Sequence, residues 1–205
     1  MSVRVKICGI TSIEDAVAAV EAGADALGFM FYERSPRKIS IETASAIKTA
    51  LPPFVVKVGV FADAIENVIR SAMLSGLNAL QFHGNEPPDF VKRFSPITTI
   101  KAFRIQNAAS LAQLAAYNTS AWLLDSYTPA QLGGTGTAFD WTLALQARKF
   151  GRPIILAGGL TPENVADAVR KVRPYAVDVS SGVESAPGKK DPAKVAAFIQ
   201  AAKSA

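Results

Sequence analysis

Short apolar runs recur along the chain and alternate with amphipathic stretches, the arrangement that repeated βα units produce. Eight runs read as strands: Val3 to Cys8, Asp25 to Phe31, Val55 to Phe61, Ala79 to His83, Thr98 to Phe103, Ala121 to Ser126, Pro153 to Ala157 and Ala176 to Ser180. Between them, Ile13/Ala16/Val17/Val20, Ile65/Val68/Ile69/Ala72, Val165/Ala168/Val169/Val172 and Val195/Phe198/Ile199/Ala202 keep an i, i+3, i+4, i+7 stripe, which predicts helices that lay one face on a sheet. Thr11-Ser12-Ile13-Glu14 has the form of a capping box for the first helix. Thr161-Pro162 and Asp191-Pro192 each offer an N-cap followed by proline in the first turn. The stretch from Ala108 to Tyr117 reads as a helix through its alanines, with little stripe. No linker or composition break divides the chain, so 205 residues with eight βα units predict a single-domain α/β fold over 1–205, a closed (β/α)8 TIM barrel of parallel strands. An open doubly wound sheet shares this element order, but the first strand is not followed by the G-x-G-x-x-G that a dinucleotide site there needs.

In a barrel the chemistry collects at the C-terminal ends of the strands. Those ends give Cys8, the Arg34 to Arg37 segment, His83, Asp125, Gly158-Gly159 and Ser180-Ser181-Gly182. In the first strand Val3, Val5 and Ile7 share one face while Arg4, Lys6 and Cys8 share the other, so Lys6 and Cys8 point into whatever the strand encloses. Cys8 is then either a small buried hydrophobe or a thiol whose pKa a neighbouring Lys6 lowers toward thiolate. Asp125 closes the apolar run Ala121 to Leu124 at the mouth of the lumen, as a poorly solvated general acid or as a cap or ion-pair partner of Lys6. Asp178 alternates with Val177 and Val179 and joins the lumen side, a second acid or a ligand for ribose hydroxyls. Either Arg34 or Arg37 suits a carboxylate held in bidentate fashion. Gly158-Gly159 and Ser180-Ser181-Gly182 follow strands seven and eight, where barrels commonly hold phosphate on backbone N–H groups; tight turns alone also call for such glycines. Gly133-Gly134-Thr135-Gly136 reads as a flexible loop that folds over a ligand.

Composition narrows the partners. One cysteine and one histidine exclude an internal disulfide, structural zinc and a histidine-based triad, and they suit a reducing compartment. Met1 leads directly into a strand-like run and no stretch of about 18 apolar residues occurs, so a cytoplasmic protein without membrane contact is expected. The net charge of +5 is scattered along the chain, which favours a small anionic molecule over nucleic acid. No cofactor site is apparent, and the chain is expected as a monomer or homodimer.

Taken together, Lys6-Ile7-Cys8-Gly9-Ile10-Thr11, Ser35-Pro36-Arg37, Gln81-Phe82-His83-Gly84, Leu124-Asp125, Gly158-Gly159-Leu160-Thr161-Pro162-Glu163-Asn164-Val165 and Val177-Asp178-Val179-Ser180-Ser181-Gly182-Val183-Glu184 closely resemble the phosphoribosylanthranilate isomerase family of tryptophan biosynthesis, from the first strand to the last helix. The resemblance implies a (β/α)8 fold and a cofactor-independent Amadori rearrangement of N-(5-phosphoribosyl)anthranilate to 1-(2-carboxyphenylamino)-1-deoxyribulose 5-phosphate. It puts the general base on Cys8, the general acid on Asp125 and the anthranilate-carboxylate arginine on Arg37. Lys6, His83 and Asp178 are expected as further substrate contacts, and the resemblance puts the phosphate on Gly158, Gly159, Ser180, Ser181 and Gly182. Phe82 stands where the family usually has leucine. The sister isomerase of histidine biosynthesis uses aspartate where this chain has Cys8, and its bis-phosphate substrate calls for a second phosphate site that strands three and four do not offer. A pentulose-phosphate epimerase needs more histidines. A silent phosphate-binding module on the same barrel is the reading from a different class.

Overall fold

Alternation along β1 (Arg4–Cys8) sets the plan of the molecule, because successive side chains of a strand face opposite ways. Val5 and Ile7 face outward into the main core with Ala16, Ala19, Val195 and Phe198, while Cys8 belongs to a second apolar cluster with Val58, Val60, Ala79, Ile100, Leu123 and Ile155. The first cluster lies between strands and helices; the second fills the lumen. The computed structural model describes residues 2–126 and 141–205.

The remaining strands are β2 (Ala26–Met30), β3 (Val56–Phe61), β4 (Ala79–Phe82), β5 (Thr98–Ile105), β6 (Ala121–Ser126), β7 (Ile154–Leu156) and β8 (Ala176–Val179). They pair in sequence order and close β8 onto β1, an eight-stranded parallel barrel, as the periodicity predicts. The closing register sets Lys6 opposite Asp178, which brings their side chains together in the lumen.

Helices α1 (Ile13–Glu21), α2 (Ile41–Ala50), α3 (Glu66–Met73), α4 (Pro88–Lys92), α5 (Trp141–Arg148), α6 (Val165–Val172) and α7 (Pro192–Lys203) follow successive strands, apart from the β5–β6 connection. The stripes of α6 and α7 bury just the residues their spacing names: Val165, Ala168, Val169 and Val172, then Val195, Phe198, Ile199 and Ala202. In α3 only Ile69 and Ala72 are buried, whereas Ile65 and Val68 are 67% and 44% exposed; Ile65 is the N-cap, outside the helix proper.

Three local expectations are corrected. The cap of α1 is Ser12, whose hydroxyl accepts from the Asp15 amide, because Thr11 donates its own hydroxyl to the Gly188 carbonyl at 2.5 Å. The Ala108 to Tyr117 stretch forms two 3-10 turns, Ala108–Leu111 and Leu114–Ala116; only Leu111 and Leu114 of these are buried, too few apolar contacts to hold a continuous helix. Helix α6 begins after Asn164 instead of at Thr161-Pro162, since the Asn164 amide bridges the Thr161 N–H and the Gly159 carbonyl and so tightens the loop before the helix.

Beyond β8 the chain makes an excursion that periodicity does not foretell. A 3-10 turn, Ser181–Val183, leads into an antiparallel hairpin of β9 (Glu184–Ala186) and β10 (Lys189–Lys190). Its turn residue Gly188, at φ +80°, packs against the Pro36 carbonyl in the loop after β2. The predicted Gly133-Gly134-Thr135-Gly136 loop lies outside the described residues.

Candidate active site at the mouth of the barrel

Cys8 ends β1 with its side chain in the lumen, 5% exposed and in the free thiol form. Room for the sulfur comes from Gly28 on β2, where an added Cβ would stand 2.7 Å from Sγ and 3.2 Å from Lys6 Nζ. Gly9, at φ +75°, then turns the chain away from the strand, and its missing Cβ leaves space for the Arg37 Cδ to cross the end of β1. Cys8, Arg37, His83, Asp125, Gly158, Gly159, Asp178, Ser180, Ser181 and Gly182 all line one cleft at the C-terminal mouth. Of the described candidates named from the sequence, all but Lys6 and Arg34 therefore meet there. Lys6 lies below the cleft, 3% exposed.

Lys6 does not pair with Asp125. Its ammonium donates to Asp178 Oδ1 at 2.8 Å, the register partner across β1 and β8. Burial on its own would depress the lysine, but Asp178 and Cys8 outweigh it and hold the ammonium protonated. The expectation that Lys6 lowers the thiol is corrected in its net direction: burial is the largest influence on Cys8 and pushes it up, Asp178 adds to that, and the opposing pull of Lys6 and Lys190 does not overcome both. Burial thus favours the neutral thiol at Cys8, beside a lysine whose neighbours favour its charged form.

Asp125 ends the buried run of β6 and is 4% exposed. Across the mouth, His83 Nε2 lies 3.3 Å from Asp125 Oδ2, without an aligned hydrogen bond, while His83 Nδ1 is 3.0 Å from the Gln81 side-chain nitrogen. Gln81 and His83 alternate on β4 and its end, so both face the lumen. The imidazole thus lies between the Gln81 amide and the Asp125 carboxyl group.

The loops after β7 and β8 touch directly. Gly158 and Gly159 adopt left-handed conformations, φ +82° and +67°, that side chains disfavour. A Cβ on Gly182 would lie 2.0 Å from the Leu160 carbonyl oxygen, so only glycine lets the two loops approach this closely. Ser180 Oγ is buried beside them without a hydrogen-bond partner among the described residues.

Of the two candidate arginines, Arg34 is exposed and Arg37 turns into the cleft. Arg37 Nε and Nη2 donate to Glu184 Oε1 and Oε2 at 2.8 and 2.7 Å, a bidentate fork. Lys190, 2% exposed, donates to the same Glu184 Oε1 at 2.8 Å and to the Ser180 carbonyl at 3.2 Å. The strand-end reading named neither Glu184 nor Lys190, because both sit on the hairpin beyond β8; Gln81 was missed as well, though its alternation with His83 was a usable signal. Among the described residues no group of His, Cys, Asp and Glu is placed to hold a metal ion, and no helix is long and apolar enough to cross a membrane.

This arrangement has counterparts in known proteins. The profile of the N-(5'phosphoribosyl)anthranilate (PRA) isomerase family matches residues 5–201. A Geobacter metallireducens protein named N-(5'-phosphoribosyl)anthranilate isomerase is 55% identical over 202 residues, spanning 98% of this chain and 99% of that protein. The crystal structure of phosphoribosyl anthranilate isomerase from Thermotoga maritima superposes with a TM-score of 0.93 at 48% identity, over 99% of this chain and 100% of that one. A structure of phosphoribosyl anthranilate isomerase in complex with reduced 1-(o-carboxyphenylamino)-1-deoxyribulose 5-phosphate superposes with a TM-score of 0.89 at 46% identity, over 99% and 100% of the two chains. From the profile match and the near-complete coverage of these relatives, the chain belongs to the N-(5'-phosphoribosyl)anthranilate isomerase family.

Proposed function

We propose that this chain catalyses the Amadori rearrangement of N-(5-phosphoribosyl)anthranilate to 1-(2-carboxyphenylamino)-1-deoxyribulose 5-phosphate in tryptophan biosynthesis, without a cofactor, with Cys8 as general base and Asp125 as general acid. The observation that carries the reading is the convergence of Cys8, Asp125 and the paired glycine loops on one cleft. Asp125 protonates the furanose ring oxygen, and the C1–O bond breaks as the anilino nitrogen's lone pair forms the Schiff base. Cys8, as the thiolate left once its own proton has passed to solvent, then takes the C2 proton; the C2–H electrons form the C1–C2 double bond and return the imine electrons to nitrogen. The enolamine tautomerises to the ketone.

Phosphate sits on the backbone N–H groups of the loops after β7 and β8, where Ser180 Oγ gains the partner it lacks. Arg37 takes the anthranilate carboxylate at the other end, so the substrate spans the mouth with C2 over the sulfur. His83 orients Asp125, and Asp178 faces the ribose hydroxyls while it holds Lys6. Lys6 supports thiolate at the moment of proton transfer, the state that burial alone opposes. The protein acts in the cytoplasm, as a monomer or homodimer that sedimentation velocity distinguishes.

The test is a fluorescence assay that follows loss of phosphoribosylanthranilate generated in place. Turnover that inorganic phosphate inhibits competitively is the expected result. Thermal stabilisation by phosphate with no turnover would instead favour a silent binding module on the same barrel.

A further inference from the structure

We infer that Glu184 is the positioning residue for Arg37, and that Lys190 is the counter-charge that lets Glu184 do so beside a buried thiol while keeping the group attractive to a substrate carboxylate. The inference rests on the reading of Arg37 as the carboxylate-binding residue and deepens it.

Three observations carry it. The first is geometric. Glu184 engages Nε and Nη2 of Arg37 through both its oxygens, at 2.8 and 2.7 Å, and this fixes the guanidinium plane. Nη1 and the outer hydrogen of Nη2 remain for a ligand, and together they form the second edge of the same plane, the edge that suits another carboxylate. The Arg37 side chain lines the cleft, so a carboxylate arriving there meets a fork already set instead of a long flexible side chain.

The second observation is charge. A lone Arg37–Glu184 pair would be neutral and would present the incoming carboxylate with a like charge. Lys190 Nζ donates to Glu184 Oε1 at 2.8 Å, so two cations share one carboxylate and the group keeps one net positive charge. Burial would raise the Glu184 carboxyl, but the hydrogen bonds from Arg37 and Lys190 outweigh it and hold it ionised. The substrate carboxylate then completes the balance, two charges of each sign.

Anchoring is the third. The hairpin that bears Glu184 and Lys190 is tied to the start of α1 by Thr11 Oγ1 to the Gly188 carbonyl at 2.5 Å and by the Lys190 amide to Asp15 Oδ2 at 2.9 Å. Its Gly188 turn rests on Pro36, the residue before Arg37. Both ends of the fork are thus held by one strap.

The test compares steady-state kinetics of wild type, Arg37→Ala, the double variant Lys190→Met/Glu184→Gln, and all three substitutions together. The double variant keeps the net charge of the group and removes the buried Glu184 and Lys190 charges together, leaving the cleft-lining Arg37 without its fork, so it isolates the loss of the fork. It is expected to raise KM about tenfold with kcat within about threefold, and to add less than about twofold once Arg37 is alanine. An unchanged KM in the double variant, or an equal rise in both backgrounds, would overturn the inference while a raised KM in Arg37→Ala leaves the carboxylate reading standing. An unchanged KM in Arg37→Ala would overturn both. Should the double variant not fold, Glu184→Asp, which retains every charge and withdraws the fork by one methylene, goes through the same cycle with the same outcomes.

Discussion

Of the three lysines buried against carboxylates among the described residues, Lys6 and Lys101 have similar geometry and opposite surroundings. Lys6 meets Asp178 at 2.8 Å, with side chains 4% and 9% exposed; Lys101 meets Glu86 at 3.0 Å, with 4% and 3%. Lys101 alternates on β5 with Ile100 and Ala102 of the lumen cluster, so it points outward, beneath the loop after β4. There it also donates to the carbonyls of Phe82 and Gly84 at 3.2 and 2.7 Å, while Glu86 Oε1 accepts from the amides of Asp63 and Gly84 at 2.9 and 3.1 Å. Its hydrogen bonds go to backbone and carboxylate, and burial depresses its pKa despite Glu86. Lys6 instead stands between Asp178 and a thiol, and those neighbours raise it against burial. A buried ion pair does not by itself mark a site. What separates the two is the company of the ammonium: Lys101 staples a loop, whereas Lys6 faces a thiol, a group whose charge changes with the gain or loss of one proton.

That contrast is open to direct challenge. Lys101→Met should destabilise the fold by about 3–5 kcal/mol, because it strands Glu86, yet leave kcat of the folded protein within about threefold. Urea unfolding and active-site-normalised kinetics separate the two effects, and a large fall in kcat with normal stability would erase the distinction. Lys6→Met should lower kcat/KM by about 10²–10³, the scale of removing one preorganised electrostatic partner, with phosphate binding retained. If it costs only stability, Lys6 belongs with Lys101.

Smaller effects sharpen the picture. Arg37→Ala should weaken substrate binding by about 1.5–3 kcal/mol, seen as a raised KM, while exposed Arg34→Ala changes nothing measurable. Equal effects would show that the fork was assigned to the wrong arginine. The smallest effect is one of linkage. Burial lifts the Cys8 thiol above its ordinary value, so past the ordinary thiol pKa of about 8.5 the unfolded chain has released a proton that the folded chain still holds. The unfolded state then binds fewer protons, and stability falls as pH rises from the unfolded toward the folded pKa, with a slope of at most about 1.4 kcal/mol for each step of one in pH. Cys8→Ala should flatten that slope in urea titrations repeated across pH, and kcat/KM of the wild type should rise along a limb displaced above the usual thiol range. A slope of the opposite sign would mean that Lys6 dominates over burial.

The strands were legible because each is a short apolar run whose exit carries a polar or glycine residue, and a parallel barrel buries both faces of such runs. Positions that depend on strand ends, Cys8, Asp125 and Asp178, were therefore legible with them. Less was visible where side chains act across long separations in sequence. Nothing local marks Lys190 as buried, since Lys189-Lys190-Asp191 reads as a solvated charge run; its burial comes from Glu184 and Asp15, which the fold brings to it. The helix expected over Ala108 to Tyr117 failed for a local reason besides its few apolar contacts: Asn107 and Ser110 cap one 3-10 turn reciprocally, and this closes it off from the next. Asn164 shows the same limit, its amide being occupied with the loop that precedes α6.

The central claim is that a buried thiol at the end of β1 removes the C2 proton of a phosphoribosyl-anthranilate substrate. Cys8→Ser tests it most directly, in the fluorescence assay on phosphoribosylanthranilate generated in place, with binding of the product analogue reduced 1-(o-carboxyphenylamino)-1-deoxyribulose 5-phosphate measured on the same preparation. A serine hydroxyl ionises far less readily than a thiol and so supplies far less of the anionic base at neutral pH, so kcat should fall by at least about 100-fold while the analogue binds as before. Retention of most turnover by that variant would contradict the account.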